Sequence, residues 1–176
     1  NSSTSKQTQK YLFTTKNGMT IESVLMRKND RATICLSTQV GCAVDCSFCA
    51  TAKMGFVQNL SAGEIIDQYF QLAKLSDTKI TNVVFMGMGE PFLNYNNSIA
   101  AARLLNHTKG INLGARRITM STAGIIGKIK KFTNEKHPFR LAVSLNGSNH
   151  DQRLKIMPIT KNQTFQNLLK AIKAYT

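Results

Sequence analysis

The sequence of 176 residues has no tryptophan, only three prolines, and no apolar run that approaches the roughly 20 residues of a membrane-spanning helix. Its first ten residues are rich in Ser, Thr, Gln and Lys, and they lack the apolar segment of a secretory signal. We therefore expect a protein without a membrane partner. The 42% hydrophobic content suffices for one globular core.

Acidic residues are also scarce. Asp and Glu total 9 against 23 Lys and Arg, which gives a formal net charge of +14. The excess is uneven, since residues 103–173 hold 14 basic side chains and only two acids. A domain this basic usually binds a polyanion, so nucleic acid is the expected partner, ahead of an anionic membrane surface. A merely solvated basic surface is the alternative.

Cysteine occurs only four times, at Cys35, Cys42, Cys46 and Cys49, all within 15 consecutive residues. Secreted disulfide scaffolds distribute their cysteines along the chain, and this sequence does not. The pattern favours a reducing compartment, so we expect a cytoplasmic location.

The chain alternates between β-rich runs and amphipathic segments. Strands are predicted at 20–26, 31–40, 80–86, 117–121 and 139–145, and helices after Ser61 and at 97–106, 125–132 and 164–175. Ser61 with Glu64 three residues later predicts a capping box. Residues 41–59 and the polar stretch after 145 read as loops.

Strand–loop–helix units at this spacing predict parallel strands joined by crossover helices. The predicted fold is α/β, a partial (β/α) barrel with a short β extension before it. The core is expected over 20–176, and 1–19 is expected to be a lead-in whose first ten residues are disordered or linking. Active sites of such folds lie at the carboxyl ends of the strands. Four loops follow those ends: G-C-A-V-D-C-S-F-C, G-M-G-E-P, S-T-A-G and S-L-N-G.

The first of these loops places Cys42, Cys46 and Cys49 in a C-x3-C-x2-C arrangement. Three thiolates so close in sequence can bind one face of an iron–sulfur cluster and leave one iron open to a chelating substrate. A structural zinc site needs a fourth ligand, and His107, His137 and His150 are the alternatives for it, although none has finger-like spacing.

The cysteine loop, with Phe48 just before its last Cys, resembles the signature of the radical S-adenosylmethionine superfamily. N-V-V-F-M-G-M-G-E-P-F-L-N, R-R-I-T-M-S-T-A-G-I-I and S-L-N-G-S-N-H-D-Q-R-L-K-I-M-P-I resemble the RlmN/Cfr family within it, over about 22–158. The resemblance implies a four-iron, four-sulfur (4Fe-4S) cluster and S-adenosyl-L-methionine as cofactors. It also implies methylation of an adenine in 23S rRNA and, for RlmN, in tRNA, with an electron donor such as flavodoxin.

The resemblance assigns roles to individual residues of this sequence. Cys42, Cys46 and Cys49 match the cluster ligands. The residues that match cofactor-binding positions are Gly89, Glu90, Ser121, Ser144, Leu145 and Asn146. Family members often carry His where this chain has Asn146, and an amide cannot carry a proton, so a titrating role at that position is not expected here.

Two further positions match catalytic residues of the family. Cys35 matches a resolving cysteine, which forms a disulfide with a methyl-carrying cysteine when the RNA product is released. Glu22 matches the proposed general base that removes a proton from the adenine. Without the resemblance, Cys35 would read as an inert core thiol and Glu22 as a solvent-facing strand residue.

The sequence departs from the family in one respect that matters. All four cysteines already have roles, so the methyl-carrying cysteine is missing, as are the N-terminal domain and the C-terminal part of the family's barrel. We expect a fragment that binds the cluster without completing methyl transfer.

Methylation at adenine carbon 2, as in RlmN, is favoured over carbon 8, as in Cfr. The alternatives are a radical enzyme acting on another substrate class and a zinc-stabilised RNA-binding module. Oligomeric state is left open.

Overall fold

The structure is a computed structural model that describes residues 7–175. Its eight strands are β1 (Thr8–Thr14), β2 (Thr20–Lys28), β3 (Arg31–Cys35), β4 (Gln39–Gly41), β5 (Phe56–Asn59), β6 (Ile80–Phe85), β7 (Ile118–Thr122) and β8 (Arg140–Val143). Its helices are α1 (Ala62–Leu75), α2 (Tyr95–Asn106), α3 (Ile126–Asn134), α4 (His150–Ile156) and α5 (Phe165–Tyr175). Short 3₁₀ helices lie at Ala52–Met54, Ala115–Arg117 and Pro158–Lys161.

Six strands form the main sheet in the order β1-β2-β3-β6-β7-β8. The first three are antiparallel, whereas β3, β6, β7 and β8 run parallel to one another. The fold is therefore α/β, a partial barrel of parallel strands with a β extension, as the sequence predicts. Within residues 7–175, no helix has the length and apolar character needed to cross a membrane.

The lead-in expected at the start of the chain is in part a strand. Residues 1–6 lie outside the described residues, but Thr8–Thr14 form β1, which pairs with β2 along its whole length. Tyr11 and Phe13 face inward in alternation with exposed neighbours and pack against the core. The prediction of a disordered or linking segment over the first ten residues is wrong for residues 8–10, because polar composition concealed the two-residue alternation of a half-buried strand.

The predicted strand over 31–40 is also divided. It ends as β3 at Cys35, and β4 then pairs with β5, inside the segment that was expected to be loop. Gly41 permits this pairing, because its φ of +73° lets the backbone turn close against Gly55. A further helix, α4, occupies part of the expected polar loop, and the side chain of Asn149 caps it by accepting from the Gln152 N–H.

The capping box predicted at Ser61 is confirmed. The Ser61 hydroxyl accepts from the Glu64 N–H at 3.2 Å, and the Glu64 carboxylate accepts from the Ser61 N–H at 2.8 Å. One buried polar side chain, Gln68, then fixes α1 to the sheet, since it accepts from the Ser23 hydroxyl at 2.6 Å and the Ser37 N–H at 2.9 Å. This anchoring sets where the chain leaves β3 for the cysteine loop.

The two faces of the sheet differ in their surroundings. Side chains such as Ile34, Phe85 and Met120 point towards the helices and are fully buried. The opposite, inner face carries a row formed by Cys35, Val84 and Thr119, which are paired across β3, β6 and β7. Because side chains alternate along a strand, Ser121 lies on this inner face too. The inner face and the strand ends next to it are where a substrate site belongs.

The close approach at Gly41 predicts a large loss of stability on substitution. A Cβ there would lie 1.8 Å from the carbonyl oxygen of Gly55, at a positive φ that disfavours other residues. We expect Gly41→Ala to lower the free energy of unfolding by roughly 3 kcal/mol. Gly127→Ala is the control, since nothing lies within 4 Å of its Cβ position in α3. Chemical denaturation under anaerobic conditions measures both, and equal stability of the two variants would contradict the predicted packing.

Candidate functional site

The cysteine loop, residues 41–49, is held in place by backbone hydrogen bonds. The Cys42 N–H donates to the carbonyl of Gly55 at 2.9 Å, and the Cys49 N–H donates to the carbonyl of Cys46 at 3.0 Å. Asp45 has a φ of +57°, which turns the chain between the first two cysteines. Cys42 is buried, whereas Cys46 and Cys49 are half-buried. The loop therefore presents three thiols from a fixed backbone.

The electrostatics of the loop show that its thiols lie near one another. Burial is the main cause that raises the pKa of Cys46 to about 11, and the neighbouring charges of Cys42 and Cys49 raise it further. The guanidinium of Arg153 opposes this effect and lowers the same pKa. Burial also raises the pKa of Cys42. A bound metal would be needed to hold Cys42 and Cys46 as thiolates at neutral pH.

The thiols do not form a ligand set for a single ion. Across residues 7–175, no three His, Cys, Asp or Glu side chains are placed to hold one metal ion. Two of the histidines considered as zinc ligands have other partners, since His137 bonds to Glu135 at 2.7 Å and the ring of His107 accepts from the Lys109 N–H. A cuboidal cluster binds each thiolate through a different iron, which spaces its ligands more widely than one ion does. Three soft thiolates beside a guanidinium fit such a cluster.

The G-M-G-E-P loop follows β6 and packs against the chain that leaves β3. Gly89 has a φ of +94°, and a Cβ there would lie 2.5 Å from the Cβ of Gln39. The Glu90 N–H donates to the side-chain oxygen of Gln39 at 2.8 Å. The predicted site residues Gly89 and Glu90 therefore lie next to the strand that leads into the cysteine loop.

The carboxylate of Glu90 is almost fully buried and has defined partners. It accepts from the Phe92 N–H at 2.9 Å and from the Ala123 N–H at 2.6 Å, so it connects the loops after β6 and β7. Burial raises the pKa of Glu90 to about 7, although the bonds from Ala123 and Phe92 oppose the rise. An ammonium ligand beside this carboxylate would favour its ionised form.

The loop after β8 carries the other predicted cofactor positions. Ser144 donates its N–H to the carbonyl of Thr122 at 2.9 Å, which places it beside the end of β7, where Ser121 lies. Leu145 packs against the core. Asn146 has a φ of +50°, and its side-chain amide is 3.4 Å from the sulfur of Met157. Ser121, Ser144, Leu145 and Asn146 thus share one edge of the sheet with Glu90.

Sequence reasoning missed Arg153, which is fully buried in α4. Its guanidinium donates to the carbonyls of Ser144, Leu145 and Ala123. One arginine therefore ties the loop after β7 to the loop after β8. Its place in the R-L-K-I-M-P-I stretch, which resembles the family, was the only sequence signal for it. The charged residues around it made it look like an exposed residue.

Glu22 and Cys35 lie on neighbouring strands at this end of the sheet. Val24 pairs with Cys35, so Glu22, two residues earlier on β2, has its side chain on the same face. The Glu22 carboxylate is partly exposed and forms an ion pair with Lys10 at 2.9 Å. Cys35 is buried, and burial raises the pKa of its thiol to about 11. Its expected role as a resolving thiol stays a prediction, as does that of Glu22.

These features match a known superfamily. A family model described as the Radical SAM superfamily matches residues 36–176, and the chain belongs to this superfamily. The more specific resemblance is confirmed as well. The chain is 47% identical over 169 residues to a protein of Aquifex aeolicus described as "Probable dual-specificity RNA methyltransferase RlmN". Proteins with the same description from Thermotoga maritima and Leptospira interrogans are also 47% identical.

These alignments cover 94–96% of this chain but only 49% of each relative, so the chain spans about half the length of the curated relatives it matches. A solved structure is also similar, the crystal structure of a radical SAM methyltransferase from Sphaerobacter thermophilus. It has 42% sequence identity and a TM-score of 0.93, with 99% of this chain and 53% of that chain covered.

The bonds of Glu90 predict a cost for replacing it by its amide. In Glu90→Gln one carboxylate oxygen becomes an NH₂ group that faces a backbone N–H, which leaves two buried donors opposed. We expect the free energy of unfolding to fall by about 1–3 kcal/mol. Asp67→Asn on the exposed face of α1 is the control and should change it by less than about 0.5 kcal/mol. Urea denaturation compares them, and an unchanged Glu90→Gln midpoint would show that these bonds do not stabilise the fold.

Proposed function

We propose that the chain is the radical core of an RNA methyltransferase that methylates carbon 2 of an adenine in 23S rRNA and in tRNA. One observation carries the proposal. Three thiols, a buried carboxylate and the loops after three strands come together at one edge of a sheet whose sequence is 47% identical to relatives described as RlmN. The methyl-carrying cysteine of this reaction is not among the four cysteines of these 176 residues.

Cys42, Cys46 and Cys49 are the residues that would hold a 4Fe-4S cluster. When bound, the cluster supplies the electron that cleaves S-adenosyl-L-methionine. Support for the ligand set comes from the shared electrostatic environment of the three thiols.

Glu90 is suited to binding the ammonium group of the cofactor. Its two oxygens each accept one backbone N–H, which fixes the carboxylate and leaves further lone pairs for a donor. The side chains of Ser121, Ser144 and Asn146 offer hydroxyl and amide groups along the same edge, and Leu145 offers an apolar contact. These neutral groups fit a ribose and a carboxylate better than they fit a second cation.

Glu22 and Cys35 are the proposed catalytic residues on the inner face. Glu22 would take the proton from the adenine carbon, and its carboxylate forms an ion pair with Lys10 at 2.9 Å. The thiolate of Cys35 would form a disulfide with the methyl-carrying cysteine as the thioether bond between that cysteine and the adenine breaks. The electron pair of the broken C–S bond leaves with the methylated base, which is thereby released. In this structure the Cys35 thiol is free and buried.

RNA as the substrate is supported by charge. Residues 103–173 contain 14 basic side chains and only two acids, and a polyanion that contacts them would release counterions. The adenine must reach the strand ends, so it must be unpaired or flipped out of its helix. An electron donor such as flavodoxin is part of the proposal, as is a cytoplasmic location.

The cluster assignment predicts a selective effect of cysteine substitutions. After anaerobic reconstitution with iron and sulfide, we expect about four irons per chain and an electron paramagnetic resonance spectrum that changes on adding S-adenosyl-L-methionine. Serine at Cys42, Cys46 or Cys49 should remove most of the iron, because each thiolate binds a separate iron. Cys35→Ser is the matched control and should retain the cluster, since Cys35 lies on β3 outside the cysteine loop. Zinc in place of iron would overturn the assignment.

The site of methylation separates the favoured function from its nearest alternative. We expect the protein in its full natural length to give 2-methyladenosine in 23S rRNA and tRNA under reducing, anaerobic conditions, as measured by mass spectrometry of digested RNA. The 176-residue chain alone should cleave the cofactor without methylating RNA, because no cysteine remains to carry the methyl group. Formation of 8-methyladenosine would establish Cfr-like activity, and methylation by the isolated chain would contradict the carrier mechanism.

A further inference from the structure

Arg153 occupies an unusual position for a charged side chain. Its relative exposure is 0%, and it is the largest of the fully buried side chains. Two of its nitrogens donate to the carbonyls of Ala123, Ser144 and Leu145. The third, Nε, is buried and has no hydrogen-bond partner. The two terminal nitrogens of the guanidinium therefore have neutral carbonyl partners, whereas Nε has none.

No carboxylate among the described residues 7–175 forms an ion pair with the guanidinium of Arg153. Glu90, a buried acid of the same network, bonds to the N–H of Ala123 while Arg153 bonds to the carbonyl of that residue. A charge removed from water without an opposite charge is costly, so buried cations in proteins are normally paired with an anion.

The cysteine loop is the place where such an anion would form. A backbone bond joins this loop to α4, because the N–H of Ser47, the residue after Cys46, donates to the carbonyl of Ile156 at 2.9 Å. Ile156 ends the helix that carries Arg153, so that helix and the cysteine loop are held together.

We propose that Arg153 is a positioning residue of the iron–sulfur site, whose buried charge balances the negative charge of the thiolate-bound cluster and favours its reduction. The inference rests on the proposed function, since it requires the cluster on Cys42, Cys46 and Cys49. Reduction adds one electron to the cluster, and a nearby fixed cation stabilises the added negative charge. The same side chain ties the loops after β7 and β8 to each other.

The test compares charge removal at two positions of α4 in the full chain. Arg153→Met and Lys155→Met remove the same charge, but Lys155 is exposed. Each protein is reconstituted with iron and sulfide, and the reduced cluster is followed by electron paramagnetic resonance in a potentiometric titration. We expect Arg153→Met to lower the reduced-to-oxidised ratio at a fixed potential about tenfold, a shift of about 59 mV to more negative potential for one electron. Lys155→Met should leave the potential unchanged.

Two further variants separate charge from structure. Arg153→Lys keeps the charge and loses the forked hydrogen bonds, so its potential should stay closer to that of the wild type. Arg153→Gln removes the charge and keeps an amide donor for the carbonyls, and it replaces the methionine variant if that protein does not fold. An unchanged potential in the charge-removing variants, or an equal shift in Arg153→Lys, would overturn the inference.

The outcome also distinguishes this inference from the proposed function. If the wild-type chain takes up no cluster, the proposed function and the inference both fail. If the wild type binds four irons and responds to S-adenosyl-L-methionine while the Arg153 variants keep its potential, the proposed function stands and only the role of Arg153 fails.

Discussion

The structure depends on how the backbone N–H and C=O groups find hydrogen-bond partners where the parallel strands end. At such an edge the chain must leave the sheet while its N–H and C=O groups keep partners, and a site that binds a ligand there cannot cover them with apolar side chains. Ala123, the residue after β7, has both of its backbone groups paired in this way. The N–H of Ala123 donates to a buried carboxylate, Glu90, and its carbonyl accepts from a buried guanidinium, Arg153. A carboxyl group from the loop after β6 and a guanidinium from α4 thus bond to the same residue.

This arrangement makes the edge rigid, and it places ionisable groups where water is scarce. Glu90 belongs to the loop after β6 and Arg153 to the helix after β8, so the loops around β7 are held from both sides. Fixed groups in a dry environment act strongly on a bound ligand and need little rearrangement when it reacts. The cost is that neither charge is easily replaced, because the partner groups would remain buried and unsatisfied.

Much of this architecture could be predicted from the sequence, and the failures have physical causes. The strands from 80 onwards and helix α1 follow from strong periodicity and a capping box, and the cysteine loop follows from spacing alone. Strand β1 was missed because polar residues hide its alternation, and β4 and β5 because three- and four-residue strands carry little pattern. Arg153 was missed because burial of a charged side chain depends on carbonyls of residues 123, 144 and 145, which only the fold brings together.

The burial of Cys35 restricts when its thiol can react at the inner face of the sheet. Cys35 is 7% exposed on a strand that is hydrogen-bonded on both edges, to β2 and β6. A bulky reactant therefore has little access to its sulfur while the surrounding chain stays packed. Burial also raises the pKa of this thiol to about 11, which leaves little thiolate at neutral pH. Limited access and a low thiolate fraction both slow thiol exchange at this position.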